Sequence, residues 1–146
     1  MRVTLSLRGD YAVRAMLALA EHGRTSAHQS GRRPTLLSAA AIAARMQIPP
    51  RFVAHVLSDL VRTGLVVGVA GRAGGYRLAL PTERIDLLQI VDAVDRAGVL
   101  PRCVLRGVPC APDGRCAVHD PFTDATEAFR AELAMTSLAD LFANRR

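Results

Sequence analysis

The stretch RFVAHVLSDLVRTGLVVGVAGRAGGYRLAL, residues 51–80, joins a helical pattern to a hairpin pattern, and this combination decides the fold. Its first half predicts an amphipathic helix, because apolar residues recur at helical spacing. Pro50 suits the first turn of this helix, where its missing N–H is harmless, and Gly64 ends the helix. The predicted buried stripe consists of Phe52, Val53, Val56, Leu57 and Leu60.

A shorter predicted helix, AAAIAARM, precedes this one. Ser38 can cap it, Ile42 and Met46 face inward, and the sequence QIPP interrupts it. Two helices with a tight break are the pattern of a helix-turn-helix, although many helix pairs bind no DNA. The polar face of the second helix, which would meet DNA, comprises Arg51, Ala54, His55, Ser58 and Arg62.

The second half of the opening stretch, residues 65–80, predicts a β-hairpin, because two β-prone runs flank a glycine-rich turn. A hairpin directly after a helix-turn-helix makes a winged helix, in which Arg72 can lie along the DNA backbone or in the minor groove. A purely structural hairpin is the alternative. The glycines do not suit a phosphate loop, because no Gly-Lys-Ser/Thr follows them.

Helices are also predicted before and after this region. Residues 10–21 predict a helix that Gly23 stops, and the polar residues 23–34 predict a loop. A further helix is predicted over residues 84–98. The first helix has a predicted apolar face of Val13, Met16, Leu17 and Ala20. The later helix is predicted to place Ile85, Leu88, Val91 and Asp92 on one side.

The C-terminal part predicts a helix after Pro121 and a short last helix capped by Thr136 or Ser137. An apolar helix at the end of a chain of this size often pairs with a second copy, although it can equally pack on its own domain.

The chain has 146 residues and a formal net charge of +6, and all 19 of its lysine-or-arginine positions are arginine. Basic character favours an anionic partner, with nucleic acid first, although GC-rich coding also enriches arginine. No run approaches the roughly 18 consecutive apolar residues of a membrane helix, and the N-terminus does not resemble a secretory signal. We therefore expect a cytoplasmic protein without membrane contact.

All three cysteines lie in PRCVLRGVPCAPDGRCAVHD, residues 101–120, a proline- and glycine-rich segment within a predicted loop over residues 99–120. We call the predicted loop over residues 99–120 the cysteine loop. Its spacing is C-x6-C-x5-C-x2-H, formed by Cys103, Cys110, Cys116 and His119. A disulfide is the weakest interpretation, because cytosolic thiols stay reduced and three is an odd number. An iron–sulfur cluster, a Cys3His zinc site and ordinary thiols stay open, although zinc sites usually contain a closely spaced pair that is absent here.

Four segments together resemble the Rrf2 family of bacterial winged-helix regulators: MRVTLSLRGDYAVRAMLALA, RFVAHVLSDLVRTGLV, GRAGGYRL and the three cysteines before a terminal helix. The resemblance spans nearly the whole chain. It is nearest to the cluster-binding types, namely the iron–sulfur biogenesis regulator, the nitric-oxide-sensing repressor and the iron-responsive repressor. It implies a homodimer that binds a palindromic operator in double-stranded DNA and holds a 2Fe–2S or 4Fe–4S cluster through its three cysteines.

The resemblance also implies roles for single residues. His119 matches the ligating histidine of the biogenesis regulator, and Asp10 matches an aspartate that reaches the cluster from the partner subunit in the nitric-oxide sensor. The first two cysteines here stand one residue further apart than is usual in the family. Both residues also have ordinary interpretations, since Asp10 suits the start of a helix and His119 suits an exposed loop.

The family's DNA-reading positions fall on Arg51, Ala54 and His55. Ala54 stands where the biogenesis regulator has a base-reading glutamate, so operator preference does not transfer. Arg51 can read guanine or contact a phosphate. The usual wing arginine is Ala70 here, and Arg72 can take over its role.

The sequence therefore predicts a mainly helical protein with a small hairpin. We expect a winged helix over residues 1–82, a connecting helix over 83–98, the cysteine loop over 99–120 and a dimerisation helix with a tail over 121–146. The predicted function is transcriptional regulation that senses iron, redox state or nitric oxide. The alternatives are a regulator of the same fold that uses thiols or zinc, and a small metalloprotein that binds no DNA. No pattern of a catalytic site is found, so we expect no enzyme.

Overall fold

A computed structural model describes residues 4–30, 35–95, 103, 105, 107–110 and 114–143, with only the backbone of 26–30 described. The helices and strands in chain order are α1 (Leu7–Ser30), α2 (Ala39–Met46), α3 (Pro50–Arg62), β1 (Val66–Val69), β2 (Gly75–Leu78), α4 (Leu87–Val94), α5 (His119–Met135) and α6 (Asp140–Ala143). A short 3-10 turn, Thr82–Arg84, precedes α4. The mainly helical fold with one antiparallel hairpin confirms the predicted class.

The helix-turn-helix forms as the sequence predicts. Ser38 caps α2 by accepting the N–H of Ala41 at 3.2 Å. The break after α2 uses Gln47, whose φ of 53° lies in the left-handed region, and Pro50 begins α3 in the first turn. The turn brings α3 across α2 without a long connection, which is the geometry that exposes the second helix of the pair.

Helix α3 buries the predicted stripe and ends just before the predicted glycine. Val53, Val56, Leu57 and Leu60 are buried, and Phe52 is half-buried against the same core. Gly64 adopts a φ of 78°, a conformation that glycine reaches without steric cost just past a helix end.

The predicted wing is an antiparallel hairpin in which Val66 pairs with Leu78 and Val69 with Gly75. Its turn needs Gly74, because a Cβ there would stand 2.2 Å from the Val69 carbonyl oxygen. Leu37 forms an isolated antiparallel bridge with Tyr76 of β2, in which the two residues exchange two backbone hydrogen bonds at 2.9 and 3.0 Å. The wing is thus attached to the segment that leads into α2.

The first helix is longer than predicted at both ends. It begins at Leu7, where Ser6 accepts the N–H of Gly9 at 2.9 Å. It also continues through Gly23 to Ser30, so the predicted stop at Gly23 and the loop over 23–30 were wrong. Gly23 is exposed, a Cβ added there would meet nothing within 4 Å, and one such glycine costs a helix only about 1 kcal/mol relative to alanine. Residues 31–34 of the predicted loop lie outside the described residues.

Helix α4 is shorter than the predicted segment 84–98. Asp86 and Gln89 form a capping box, with each side chain bonded to the other's backbone N–H, so the helix starts only after Asp86. Val94 is the last helical residue, and residues 96–98 lie outside the described part. The core face is Ile90, Val91, Ala93 and Val94, whereas the predicted Leu88 and Asp92 are half-buried.

Helix α5 begins at His119, two residues before Pro121, so the cysteine loop ends at Val118 rather than at residue 120. Pro121 is tolerated because the first helical turn has no N–H partner to lose. The predicted cap Ser137 accepts the N–H of Asp140 at the start of α6. The wider division of the chain into functional units stays a prediction.

Candidate DNA-binding surface and thiol cluster

The polar face predicted for α3 is exposed at all five positions, namely Arg51, Ala54, His55, Ser58 and Arg62. Arg51 stands in the first turn, and its guanidinium lies 4.9 Å from the ring centre of Phe52. The Phe52 ring packs in turn against Tyr11 of α1, with 5.5 Å between ring centres. The planar guanidinium of Arg51 therefore stacks on an aromatic ring, while the residue as a whole stays exposed.

The other end of the same face carries an ion-pair network. Asp59 is largely covered, with 17% of its side chain exposed, and both its oxygens are occupied. Arg62 binds Oδ1 at 2.8 Å, and Arg8 of α1 binds Oδ2. Arg62 is therefore partly neutralised, and the free positive charge on the face is concentrated toward Arg51.

Arg72 lies exposed at the tip of the wing, between Gly71 and Gly74. A flexible cation at the tip of a hairpin can reach the phosphates or the minor groove beside a helix in the major groove. The exposed helix and the wing tip thus offer two separate basic contacts from one compact half of the chain.

The three cysteines converge although 13 residues separate the first from the last. The Sγ atoms of Cys103 and Cys116 are 3.3 Å apart, and those of Cys110 and Cys116 are 3.8 Å apart. All three sulfurs lie within 4.8 Å of one another. Cys103 is buried and the other two are half-buried, so the cluster faces solvent on one side.

The backbone of the cysteine loop explains part of this convergence. Cys103 donates its N–H to the Val108 carbonyl at 2.9 Å and accepts the N–H of Gly107 at 2.8 Å. This tight turn brings the chain back toward Cys103 shortly before it reaches Cys110. The Cys116 carbonyl accepts the N–H of His119 at 3.0 Å, which fixes the third thiol at the start of α5.

The close packing of sulfurs changes their acidity. The hydrogen bond with the Cys103 thiol raises the pKa of the Cys116 thiol above its usual value, and partial removal from water acts in the same direction. A metal ion that binds here must displace this proton, because the thiolate is the ligand.

Neither candidate for a fourth ligand joins the three sulfurs within the single chain. Among the described residues, the group of converging ligand atoms contains the three thiols and neither His119 nor Asp10. His119 is half-buried in the first turn of α5. Asp10 binds Arg14 through both oxygens at 2.8 and 3.0 Å, and Arg14 also donates to the Met46 carbonyl at 3.4 Å.

Two contacts around the cysteine loop were not predicted from the sequence. Asp92 of α4 and Arg130 of α5 form a bidentate ion pair at 2.7 and 3.0 Å. Ser6 donates its hydroxyl to Asp95, the residue after α4, at 2.6 Å. Acidic residues at positions 92 and 95, one helical turn apart, were the available signal, but nothing in the sequence indicated their distant partners.

The helix-turn-helix, the wing and the exposed basic face together define a winged-helix protein of the DNA-binding class. A family model described as "Rrf2: Iron-dependent Transcriptional regulator" matches residues 5–144. The chain belongs to the Rrf2 family, whose members are transcriptional regulators and not enzymes.

Relatives and solved structures agree with this placement. The chain is 33% identical to the regulator IscR of Xenorhabdus nematophila over 97% of this chain and 80% of that protein. It is 27% identical to an rrf2-like regulator of Rhodobacter capsulatus over 91% of this chain and 88% of that protein.

Two solved structures share the fold. IscR of T. potens superposes with a TM-score of 0.73 at 22% identity, covering 99% of this chain and 89% of that one. CymR of B. subtilis, described as the global cysteine regulator, gives 0.74 at 23% identity, covering 99% and 100%. Among the described residues, no helix combines the length and the apolar character needed to cross a bilayer.

Proposed function

We propose that this Rrf2-family regulator senses iron, redox state or nitric oxide through an iron–sulfur cluster held by Cys103, Cys110 and Cys116. The observation that carries the proposal is the convergence of three thiols within 4.8 Å on a partly exposed loop. The family description and the IscR relatives support an iron-linked signal. A DNA-bound role of this kind belongs in the cytoplasm.

The donor set fits such a group. Thiolates are the usual protein ligands of iron–sulfur clusters, and three of them leave one position for another ligand. His119 of the same chain, or Asp10 reaching over from a second copy, are the candidates for that position. When bound, a 2Fe–2S or 4Fe–4S cluster supplies iron that reacts with oxygen or nitric oxide.

On the DNA side, we assign base reading to the first turns of α3 and backbone contact to the wing. Arg51 has the fork geometry that suits guanine O6 and N7, and its neighbours Ala54, His55 and Ser58 complete the surface facing the major groove. Arg72 supplies the wing contact.

A homodimer on a palindromic operator completes the proposal. The exposed apolar side chains of α5, namely Phe122 with 41%, Phe129 with 40% and Met135 with 73% exposure, support pairing with a second copy. Paired recognition helices must match half-sites about 34 Å apart, so a small change in their separation changes affinity. A coupling of about 1–3 kcal/mol between the cysteine loop and DNA binding is enough for a switch.

A zinc site or direct thiol sensing is the second candidate. Four zinc ligands at about 2.3 Å in a tetrahedron stand about 3.8 Å apart, and the sulfurs of Cys110 and Cys116 are separated by 3.8 Å. Direct thiol chemistry is supported by the 3.3 Å contact of Cys103 with Cys116. A solved CymR of Staphylococcus aureus, described as an oxidised form, has a TM-score of 0.67 with this chain.

Anaerobic purification tests these candidates. A coloured protein with iron and acid-labile sulfide, both lost in the Cys110→Ser variant, supports the cluster. A colourless protein with one zinc per chain contradicts it and supports the zinc site. A metal-free protein whose DNA binding responds to peroxide supports direct thiol sensing. The Cys110→Ser variant should keep its helical circular dichroism, so that loss of metal is not loss of fold.

A further inference from the structure

We propose that Ser6, which caps α1, and Arg8, in the first turn of α1, are positioning residues that connect the end of α4, ahead of the cysteine loop, to the recognition helix. This inference rests on the proposed function, because it assigns the route by which the state of the thiols reaches DNA. The route runs from Asp95 to Ser6, along the first turn to Arg8, and from Arg8 to Asp59 of α3.

At one end of this route, a single hydroxyl makes two bonds. Ser6 donates to Asp95 Oδ1 at 2.6 Å, and its oxygen accepts the N–H of Gly9 at 2.9 Å. The first is a short, charge-assisted bond, and the second is the cap of α1. Asp95 follows the last residue of α4 and precedes Cys103 by only eight positions. The residue that follows α4 and the start of α1 therefore share one side chain.

At the other end, Arg8 binds Asp59 of α3. Asp59 follows Ser58, one of the residues on the proposed DNA-reading face, and Arg62 occupies its second oxygen at 2.8 Å. Because the Asp59 side chain is only 17% exposed, this pair is better shielded from solvent than a typical surface pair. The first turn of α1 is thus attached to the helix that we expect to enter the major groove.

Between these two ends, the first turn of α1 is closely packed against Asp95. Gly9 is buried, and a Cβ at this position would lie 3.3 Å from Ser6 Oγ and 3.8 Å from Asp95 Oδ2. A displacement of Asp95 must therefore break its bond to Ser6 or move the turn that carries Arg8. The bidentate pair of Asp92 with Arg130 fixes the same end of α4 to α5, so both helices that flank the cysteine loop meet at this junction.

Substitutions at Ser6 can separate its role as the cap of α1 from its hydrogen bond to Asp95. Ser6→Asp keeps a good N-cap but cannot donate to Asp95 and adds a like charge beside it. Ser6→Asn keeps both a cap and a donor. Ser137→Ala is the matched control, because it removes a capping serine at α6, away from the route.

Hydrogen exchange of the metal-free protein gives the first readout. We expect Ser6→Asp to raise exchange severalfold both in peptides from the start of α1 and in peptides that cover residues 55–63 of α3. Ser6→Asn and Ser137→Ala should match the wild type in both. Faster exchange at α1 with an unchanged α3 overturns the connection, because the first turn would then move without the recognition helix.

DNA affinity gives the second readout. The wild-type protein, reconstituted with iron and sulfide under argon, should differ from its metal-free form by about 5- to 150-fold in affinity. In Ser6→Asp this ratio should fall to within about threefold of unity, with the metal content unchanged. If the affinities of the reconstituted and metal-free forms of Ser6→Asp differ as much as they do in the wild type, the inference is overturned. A ratio near one in the wild type overturns the proposed function instead, and the hydrogen exchange then decides the structural connection by itself.

Discussion

Arg51 lies in the first turn of α3, and its replacement tests whether this surface reads bases. Its guanidinium lies 4.9 Å from the ring centre of Phe52, so the planar group stacks on the ring while the residue stays exposed. Alanine at this position removes both the charge and the planar fork. Lysine keeps the charge but loses the fork, and a bidentate contact with guanine is lost with it.

The two kinds of contact predict different magnitudes. A bidentate contact with guanine contributes about 1–3 kcal/mol, so its loss weakens binding to one half-site by about 5- to 150-fold. On a palindrome the loss occurs in both half-sites, and independent losses add. A phosphate contact instead weakens binding to all sequences alike and lowers the slope of log affinity against log salt by about 1.

Fluorescence anisotropy at fixed salt measures the difference, with a duplex selected by the wild-type protein and a scrambled duplex of the same length. We expect Arg51→Ala and Arg51→Lys to lose similar affinity for the selected duplex, while Arg51→Lys binds the scrambled duplex normally. Arg115→Ala is the control, because Arg115 forms an exposed ion pair with Asp120 outside the winged helix. Equal losses on both duplexes in Arg51→Ala, fully restored in Arg51→Lys, would refute base reading.

Three further predictions follow from packing and acidity. Leu60→Ala should lower the free energy of unfolding by about 2–5 kcal/mol in urea titrations, because Leu60 is fully buried, whereas Val61→Ala should cost less than about 1 kcal/mol. Gly74→Ala should distort the wing turn, since its Cβ would meet a backbone oxygen at 2.2 Å, and should weaken DNA binding at least as much as Arg72→Ala does; a smaller effect would contradict a role for the wing. In metal-free protein the raised pKa of Cys116 should hold it protonated, so that mass spectrometry finds slower alkylation at pH 8 than for an unfolded control peptide.

The winged helix could be predicted from the sequence because its signals are local. The proline that begins α3, the apolar spacing through Leu60 and the glycine after the helix all lie within one short stretch, and the structure confirms each. The prediction that helix α1 ends at Gly23 was wrong, because a glycine ends a helix only where the surrounding contacts favour termination. Thr25 instead bonds its hydroxyl to the Glu21 carbonyl at 3.0 Å, and Arg24 lies over the Phe142 ring, so neighbouring contacts accompany the continued helix.

The cysteines could be recognised as a group from their clustering, but their distances could not be predicted, because irregular loops have no periodicity from which to place a side chain. The contacts around the loop were still less accessible. Ser6 and Asp95 are separated by 89 positions, and Asp92 and Arg130 by 38. In the sequence, each of these residues looks like an ordinary polar surface residue. Only the tertiary fold shows that the two members of each pair are in contact.

The backbone exchange between Leu37 and Tyr76 has a consequence for protein engineering. These two residues close the wing onto the segment ahead of α2 through hydrogen bonds of 2.9 and 3.0 Å. A hybrid regulator that receives its sequence specificity from a relative should therefore take residues 35–80 as one cassette. A splice point inside that interval would pair a wing strand from the donor with a Leu37 segment from the recipient. The packing between these two segments would then no longer match.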